Sequence, residues 1–161
     1  MSVIMELWGF VVKAFLEWRR YEVEELGPQT VFLSPSEAQK MSTTEFRWWC
    51  EKYRIKFLAE RMKKCDKLSI ALEDLKGSIR QEEIMVLVDG MIRLCDEIKR
   101  RIGEEIDAVS DCIMEIGDHV ESFDSIRKAG EVEEEIRKLM ANFKIGFDHM
   151  EEFGFPPPEY L

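Results

Sequence analysis

The sequence predicts an all-α protein, and three observations support that prediction. The 161 residues include only nine glycines and five prolines, so long segments are free of helix breakers. Hydrophobic residues recur at steps of three and four along four segments, which is the period of an amphipathic helix. Charged residues make up 35% of the chain, above the usual quarter, as expected where helices expose salt-bridged faces. We therefore expect an elongated four-helix bundle or an antiparallel coiled-coil hairpin.

Breaker and capping residues set the bounds of four predicted helices. The first ends at Gly27-Pro28, and the second begins after the N-cap Ser42 and ends near Gly77-Ser78. The fourth follows a turn at residues 127–130 and ends before Gly154. The predicted bounds are 3–25, 43–76, 82–123 and 131–153.

The third predicted helix has the most regular pattern. Its apolar residues form two heptads, one eleven-residue unit near Gly103, and two further heptads. An unbroken helix of this length would extend for about 60 Å. Gly117, near its end, is the most favourable position for a bend. The apolar stripe consists of Ile84, Val88, Met91, Cys95, Ile98, Ile102, Ile106, Val109, Ile113, Ile116, Val120 and Phe123.

Helix lengths and charge predict how the chain is organised. Residues 42–79 carry nine basic and six acidic side chains, whereas residues 80–123 carry five and twelve, so the two segments should attract as an antiparallel hairpin. This hairpin is longer than the other helices and leaves apolar surface for a second copy, which predicts a homodimer. Residues 1–153 are expected to form one helical domain, and residues 154–161 an extended proline-rich tail.

The four cysteines predict a reducing, cytoplasmic location. Cys50, Cys65, Cys95 and Cys112 are 15, 30 and 17 residues apart, which is not the spacing of metal ligands. Most lie on or beside apolar stripes and are expected to be buried thiols. The apolar N-terminal segment is interrupted by Glu6 and is too short for a membrane span.

Candidate catalytic motifs are incomplete, so no enzyme activity, metal or cofactor is predicted. Neither His119 nor His149 follows a glutamate by three residues, which di-iron bundles require. Glu104-x-x-Asp107 matches half of the carboxylate motif that all-α nucleotide pyrophosphohydrolases use to hold Mg²⁺. The only upstream partner is Glu22-x-x-Glu25, which is too distant in sequence. A Mg²⁺-dependent phosphohydrolase therefore remains a minor alternative.

Basic and aromatic residues interleave at the start of the second predicted helix. Helical spacing places Arg47, Arg54, Arg61 and, less closely, Lys64 on one side, where they could follow a phosphate backbone while Trp48 stacks on a base. Alternatively, the neighbouring aromatic residues pack inward and the cations pair with the acidic third helix. The net charge of −10 favours this second interpretation, because it opposes the approach of a polyanion.

The C-terminal tail contains a short recognition motif. Pro157, Pro158 and Tyr160 have the spacing of ligands for WW domains, which bind a polyproline helix in an aromatic groove. The simpler alternative is a tail that ends the last helix, with Phe155 and Tyr160 folded back on the bundle.

Taken as a whole, the sequence favours a non-enzymatic scaffold or protein-interaction module. A regular apolar stripe without a complete catalytic set indicates self-association and an unidentified protein partner. The alternative is a nucleic-acid-associated or nucleoprotein-assembly factor that uses the basic-aromatic residues of the second helix.

Overall fold

The computed structural model of the chain describes residues 2–26, 33–115 and 124–159. All regular elements in these ranges are helical, which confirms the predicted all-α class. Helix α1 packs against α4, α4 against α5, and α5 against both α6 and α7. The elements are α1 (Val3–Leu26), α2 (Pro35–Gln39), α3 (Thr43–Trp48), a π-helical segment (Trp49–Arg54), α4 (Ile55–Ser78), α5 (Glu82–Glu115), α6 (Asp124–Ala141) and α7 (Phe143–Glu152).

Helices α4 and α5 form the predicted antiparallel pair. Lys76 contacts Asp89 at 2.8 Å, close to the connection between the two helices. Farther away, Lys99 contacts Asp66 at 3.0 Å. Because partners farther along α4 lie earlier in α5, the two helices run in opposite directions. The coiled-coil form of this pairing stays a prediction.

The second predicted helix is continuous but contains a π-helical segment that the sequence pattern did not indicate. The backbone stays in the right-handed helical region at Trp48, Trp49 and Ile55, so α3, the π segment and α4 form one rod. A π turn holds one more residue than an α turn. Phe46, Cys50 and Arg54 are all buried at steps of four, as the wider turn requires.

Helix α5 keeps a heptad pattern where an eleven-residue unit was predicted. Its core positions pass from Ile102 to Glu105 and then to Val109, while Ile106 is only half-buried. The prediction was wrong because a charged residue occupies a core position. The helix is continuous through Gly103, whereas Gly117 lies outside the described residues.

The fourth predicted helix begins earlier and is divided. Helix α6 starts at Asp124, so the predicted turn at residues 127–130 is wrong. Ile126 and Ala129 are buried, and this burial outweighs the helix-breaking tendency of Gly130. A break at Asn142 then separates α6 from α7.

The C-terminal tail folds back onto α1. Gly154 has a φ of +90°, which a residue without a Cβ adopts readily, and it ends α7. The Gly154 N–H donates to the Glu151 carbonyl, and the Phe155 N–H donates to the Met150 carbonyl. These two hydrogen bonds define a Schellman cap. The indole N–H of Trp8 donates to the Pro156 carbonyl at 2.7 Å.

Aromatic side chains fill the space between α1 and α7. Phe15 lies 4.7 Å from Phe147 and 5.7 Å from Phe143 between ring centroids, and Trp8 lies 5.2 Å from Phe155. These rings lie close to the start of α5, as the contact between Gly146 of α7 and the Met91 side chain shows. We call the end of the molecule that contains these rings, α7 and the start of α5 the aromatic half.

The four cysteines are buried and free, as predicted for Cys65, Cys95 and Cys112. The Cys65 thiol donates to the Cys95 carbonyl across the α4–α5 pair at 3.4 Å. Burial raises the pKa of Cys50 and of Cys112 to about 12, so neither is a thiolate near neutral pH. Within the described ranges, none of the helices has the length and apolar character to cross a membrane.

Candidate functional site

The predicted row of basic residues is divided between the core and the surface. Arg54 and Arg61 are each 1% exposed, whereas Arg47 is exposed and Lys64 half-buried. The prediction that these four cations share one exposed side is therefore wrong for Arg54 and Arg61. The π segment contributes to this separation, because its wide turn holds one residue more than an α turn. The additional residue rotates Arg47 by about 100° around the helix axis relative to Arg54.

Arg54 and Arg61 belong to a buried ionic cluster with three glutamates from three other helices. Arg61 donates from Nε to Glu22 at 2.7 Å and from Nη1 to Glu133 at 2.6 Å. Arg54 donates from Nη2 to Glu133 at 2.8 Å and to Glu105 at 2.9 Å. Glu133 thus joins the two guanidinium groups. We call these five residues the ionic cluster, and the end of the molecule that contains it the ionic half.

Aromatic rings enclose part of the cluster. The Arg61 and Arg54 guanidinium carbons lie 4.8 Å and 5.3 Å from the centre of the Phe57 ring, within range of cation–π attraction. The indole N–H of Trp18 donates to Glu22 at 3.0 Å. Apolar walls thus surround the charges, and a low-dielectric environment strengthens each ionic hydrogen bond.

The ionic cluster has one more carboxyl group than guanidinium groups. Burial raises the pKa of Glu105 to about 7. The positive charge of Arg54 acts to lower this pKa, whereas the negative charge of Glu133 acts to raise it further. Burial also acts to raise the pKa of Glu133, but Arg61 and Arg54 outweigh it and hold that pKa below its ordinary value. Burial acts to lower the pKa of Arg61, but the negative charges of Glu22 and Glu133 outweigh it, so the pKa lies above its ordinary value. Of Glu105 and Glu133, Glu105 is therefore the one whose protonated form the fold favours.

This geometry gives the cluster a structural role. Each arginine is almost inaccessible and already hydrogen-bonded to carboxylates, so neither guanidinium group faces a ligand. The bonds link α1, the π segment, α4, α5 and α6, and a shift of any one helix would separate charges in the core. A shift of one of these helices along another is therefore opposed by the cost of leaving a buried charge without its partner.

The acidic residues considered as metal ligands have other partners or lie apart. Glu104 accepts hydrogen bonds from Arg100 and Arg101, and Asp107 is exposed on the same helix. His149 is also exposed, and His119 lies outside the described residues. Within the described ranges, no group of three or more His, Cys, Asp or Glu side chains is arranged to hold a metal ion.

An open pocket lies on the surface above Phe57, where α1 approaches the π segment and α4. Its volume is about 360 Å³. Tyr21 stacks on Phe57 with their rings 5.5 Å apart and 10° from parallel. Trp48, which is 60% exposed, precedes Lys52 by four residues along the same rod. The pocket is lined by Tyr21, Lys52, Tyr53, Lys56, Phe57 and Glu60. We call these lining residues together with Trp48 the basic-aromatic face.

The proline motif of the tail is partly covered by the fold. Pro158 is buried and Pro157 half-buried, while Tyr160 lies outside the described residues. Phe155 is buried against Trp8, as the simpler alternative for the tail predicted. A WW domain would therefore have to displace Pro158 from the bundle before binding it.

The sequence pattern missed the glutamates of the ionic cluster. A strict heptad continued from Ile102 reaches Glu105, so a charged residue at a core position was the available indication. Glu22 follows Trp18 by four residues on the buried side of α1, and Glu133 follows the buried Val132. No comparable indication linked Tyr21 to the lysines of the second helix, because only the packing of α1 on α4 brings them together.

Comparison of the chain with protein-family models, with curated proteins and with solved structures finds no match.

Proposed function

We propose that this protein is a non-enzymatic helical interaction module that associates with itself through its aromatic half. The observation that carries this proposal is the distribution of exposed apolar side chains. Five of the nine large hydrophobic side chains that are exposed in the described residues lie at this end, in α1, α5 or α7 or directly after α7. They are Val3, Phe10, Val86, Ile145 and Phe153.

The exposure of these side chains favours a partner of apolar character. Phe10 is 54% exposed and Ile145 is 56% exposed, although both neighbour a dense aromatic core. Covering apolar surface contributes about 25 cal/mol per Å², so burial of several such side chains in a dimer would be favourable. A second copy presents the same residues, as a two-fold interface requires.

The charged residues support a structural role in the other half of the molecule. The buried arginines and glutamates bind one another. Surface charges also pair between helices, such as Arg101 of α5 with Glu135 of α6 at 2.8 Å. The proposal includes a further protein partner. It also includes a reducing, cytoplasmic location, and the four free buried thiols favour this location.

Sedimentation equilibrium of the full chain tests self-association. We expect a mass of about twice 19.0 kDa for the wild-type protein. Phe10→Ser combined with Phe153→Ser should weaken association by at least about tenfold, because two apolar contacts are lost. Val23→Ser combined with Met114→Ser is the matched control, since both side chains are exposed outside the aromatic half.

Two results would contradict the proposal. One is a wild-type protein that remains monomeric at the highest concentration reached. The other is a control variant that dissociates as strongly as the Phe10 and Phe153 variant, because the aromatic half would then have no special role.

A further inference from the structure

The basic-aromatic face has a large apolar side chain that the fold leaves uncovered. Trp48 is 60% exposed, although each of the two tryptophans of α1 is almost fully buried. It is the last residue of α3, directly before the π segment that carries Arg54 of the ionic cluster, and thus lies away from the apolar residues proposed for self-association. A tryptophan in this position offers a flat surface on which a planar ring can stack.

Two lysines follow Trp48 along the rod. Lys52 and Lys56 are exposed, and both line the pocket. Neither has an ion pair within the described ranges, whereas Lys76 and Lys99 contact aspartates at 2.8 Å and 3.0 Å. The two lysines therefore present positive charge toward the pocket opening.

The local charge differs in sign from that of the whole chain. Among the exposed residues of 47–56, Arg47, Lys52 and Lys56 outnumber Glu51, whereas the complete chain has a net charge of −10. Glu60, the acidic residue of the pocket, lies 3.9 Å from both Lys63 and Lys64, which reduces its repulsion of an anion. An anionic group is thus attracted to this face over short distances.

We propose that the basic-aromatic face binds a nucleoside phosphate, with the base stacked on Trp48 and the phosphate held by Lys52 and Lys56. A pocket of about 360 Å³ is within the usual range for small-ligand sites. Tyr21, Tyr53 and Phe57 supply aromatic walls beside the two cations. Aromatic rings next to lysines are the combination by which proteins bind single-stranded nucleic acids without base specificity.

The nucleoside phosphate has two sources, a free nucleotide or a single-stranded nucleic acid, and calorimetric titration distinguishes them. The full-length protein is titrated at low salt with uridine monophosphate and, separately, with a short oligouridylate. Saturation by the mononucleotide assigns the face to free nucleotides. Saturation by the oligonucleotide alone assigns it to a nucleic-acid strand. Both results support the proposal, whereas no saturable binding of either probe would overturn it.

A charge-matched pair of variants tests the location of the site. Lys52→Ser with Lys56→Ser should weaken binding by at least about tenfold, because two charge-assisted contacts are lost. For the oligonucleotide, the slope of log K against log salt should also flatten by about 1.4. The control, Lys67→Ser with Lys128→Ser, removes the same charge from exposed positions outside the pocket and should stay within about twofold of wild type.

A third variant tests the stacking contribution. Trp48→Ser should weaken binding by at least about fivefold while the far-ultraviolet circular dichroism stays that of the wild type, since the residue is exposed. Equal losses in the two lysine pairs would show that binding depends only on overall charge, and would overturn the assignment to this face. Because these residues lie outside the aromatic half, the result is independent of self-association.

Discussion

The aromatic half and the ionic half of this molecule hold helices together by different interactions. In the aromatic half, Phe15 and Phe147 bury large apolar surfaces whose attraction depends little on direction. In the ionic half, Arg54 and Arg61 bind three glutamates through hydrogen bonds that require particular positions on four helical elements and the π segment. The first type of packing gains free energy from buried apolar area, whereas the second pays a desolvation cost that its hydrogen bonds must offset.

The largest expected effect comes from removing one charge of the ionic cluster. Arg61→Met leaves Glu22 and Glu133 without their shared partner, and should lower the free energy of unfolding by about 3–5 kcal/mol. Chemical denaturation measures this change. Lys64→Met removes the same charge three residues later, where the amine lies 3.9 Å from the partly exposed Glu60, and should cost less than about 1 kcal/mol. Similar costs for both variants would contradict the central role of the cluster.

A smaller effect concerns the dependence of stability on pH. The pKa of Glu105 rises from 4.5 to about 7 on folding, so the folded state retains a proton that the unfolded chain releases. The free energy of unfolding should therefore fall by on the order of 3 kcal/mol as the pH rises from 4.5 to about 7. At higher pH, Glu105 should cause no further loss. Glu133 has the opposite shift, and its contribution is lost as pH falls below its ordinary pKa.

Glu105→Gln separates this effect from that of other carboxyl groups. Glutamine keeps an acceptor for Arg54 but cannot ionise, so the variant should be more stable than wild type at pH values above about 7. Asp107→Asn, on an exposed part of the same helix, is the control and should keep the wild-type dependence. Denaturation midpoints across the pH series provide the measurement, and an unchanged slope in Glu105→Gln would refute the assignment.

The smallest expected effect compares the packing of two glycines. A Cβ at Gly103, in the ionic half, would meet no atom within 4 Å, so Gly103→Ala should stabilise the protein by about 0.5–1 kcal/mol through helix propensity. A Cβ at Gly146, in the aromatic half, would lie 3.0 Å from the Met91 Cγ. Gly146→Ala should therefore gain less or lose stability in thermal unfolding. An equal gain at both sites would show that the aromatic half is less tightly packed than its contacts indicate.

The α class and the apolar core of most helices were predictable, because both follow from local periodicity. The first predicted helix, 3–25, differs from Val3–Leu26 by one residue at its end. Burial of Val88, Cys95 and Ile98 likewise follows from their spacing along α5. The end of α7 at Gly154 was predictable for the same kind of reason, since a glycine cap depends on the residues next to it.

The basic-aromatic site was predictable only in part. Trp48 and Arg47 are exposed, as a nucleic-acid site would require, but Arg54 and Arg61 are buried with glutamates. Their partner Glu133 is 79 and 72 residues away in sequence, so spacing along one helix could not identify it. The lysines of the proposed site face Tyr21 of α1 for the same reason, since the contact depends on packing between helices.

The sequence by itself determined where helices form and which of their faces are apolar, because propensity, capping and periodicity act over a few residues. Only the tertiary structure decided which charged residues lie inside. An arginine or glutamate is buried where partners from other helices compensate its desolvation, and those partners are defined by packing rather than by sequence distance. The same packing places Glu105 at a core position and leaves Trp48 at the surface.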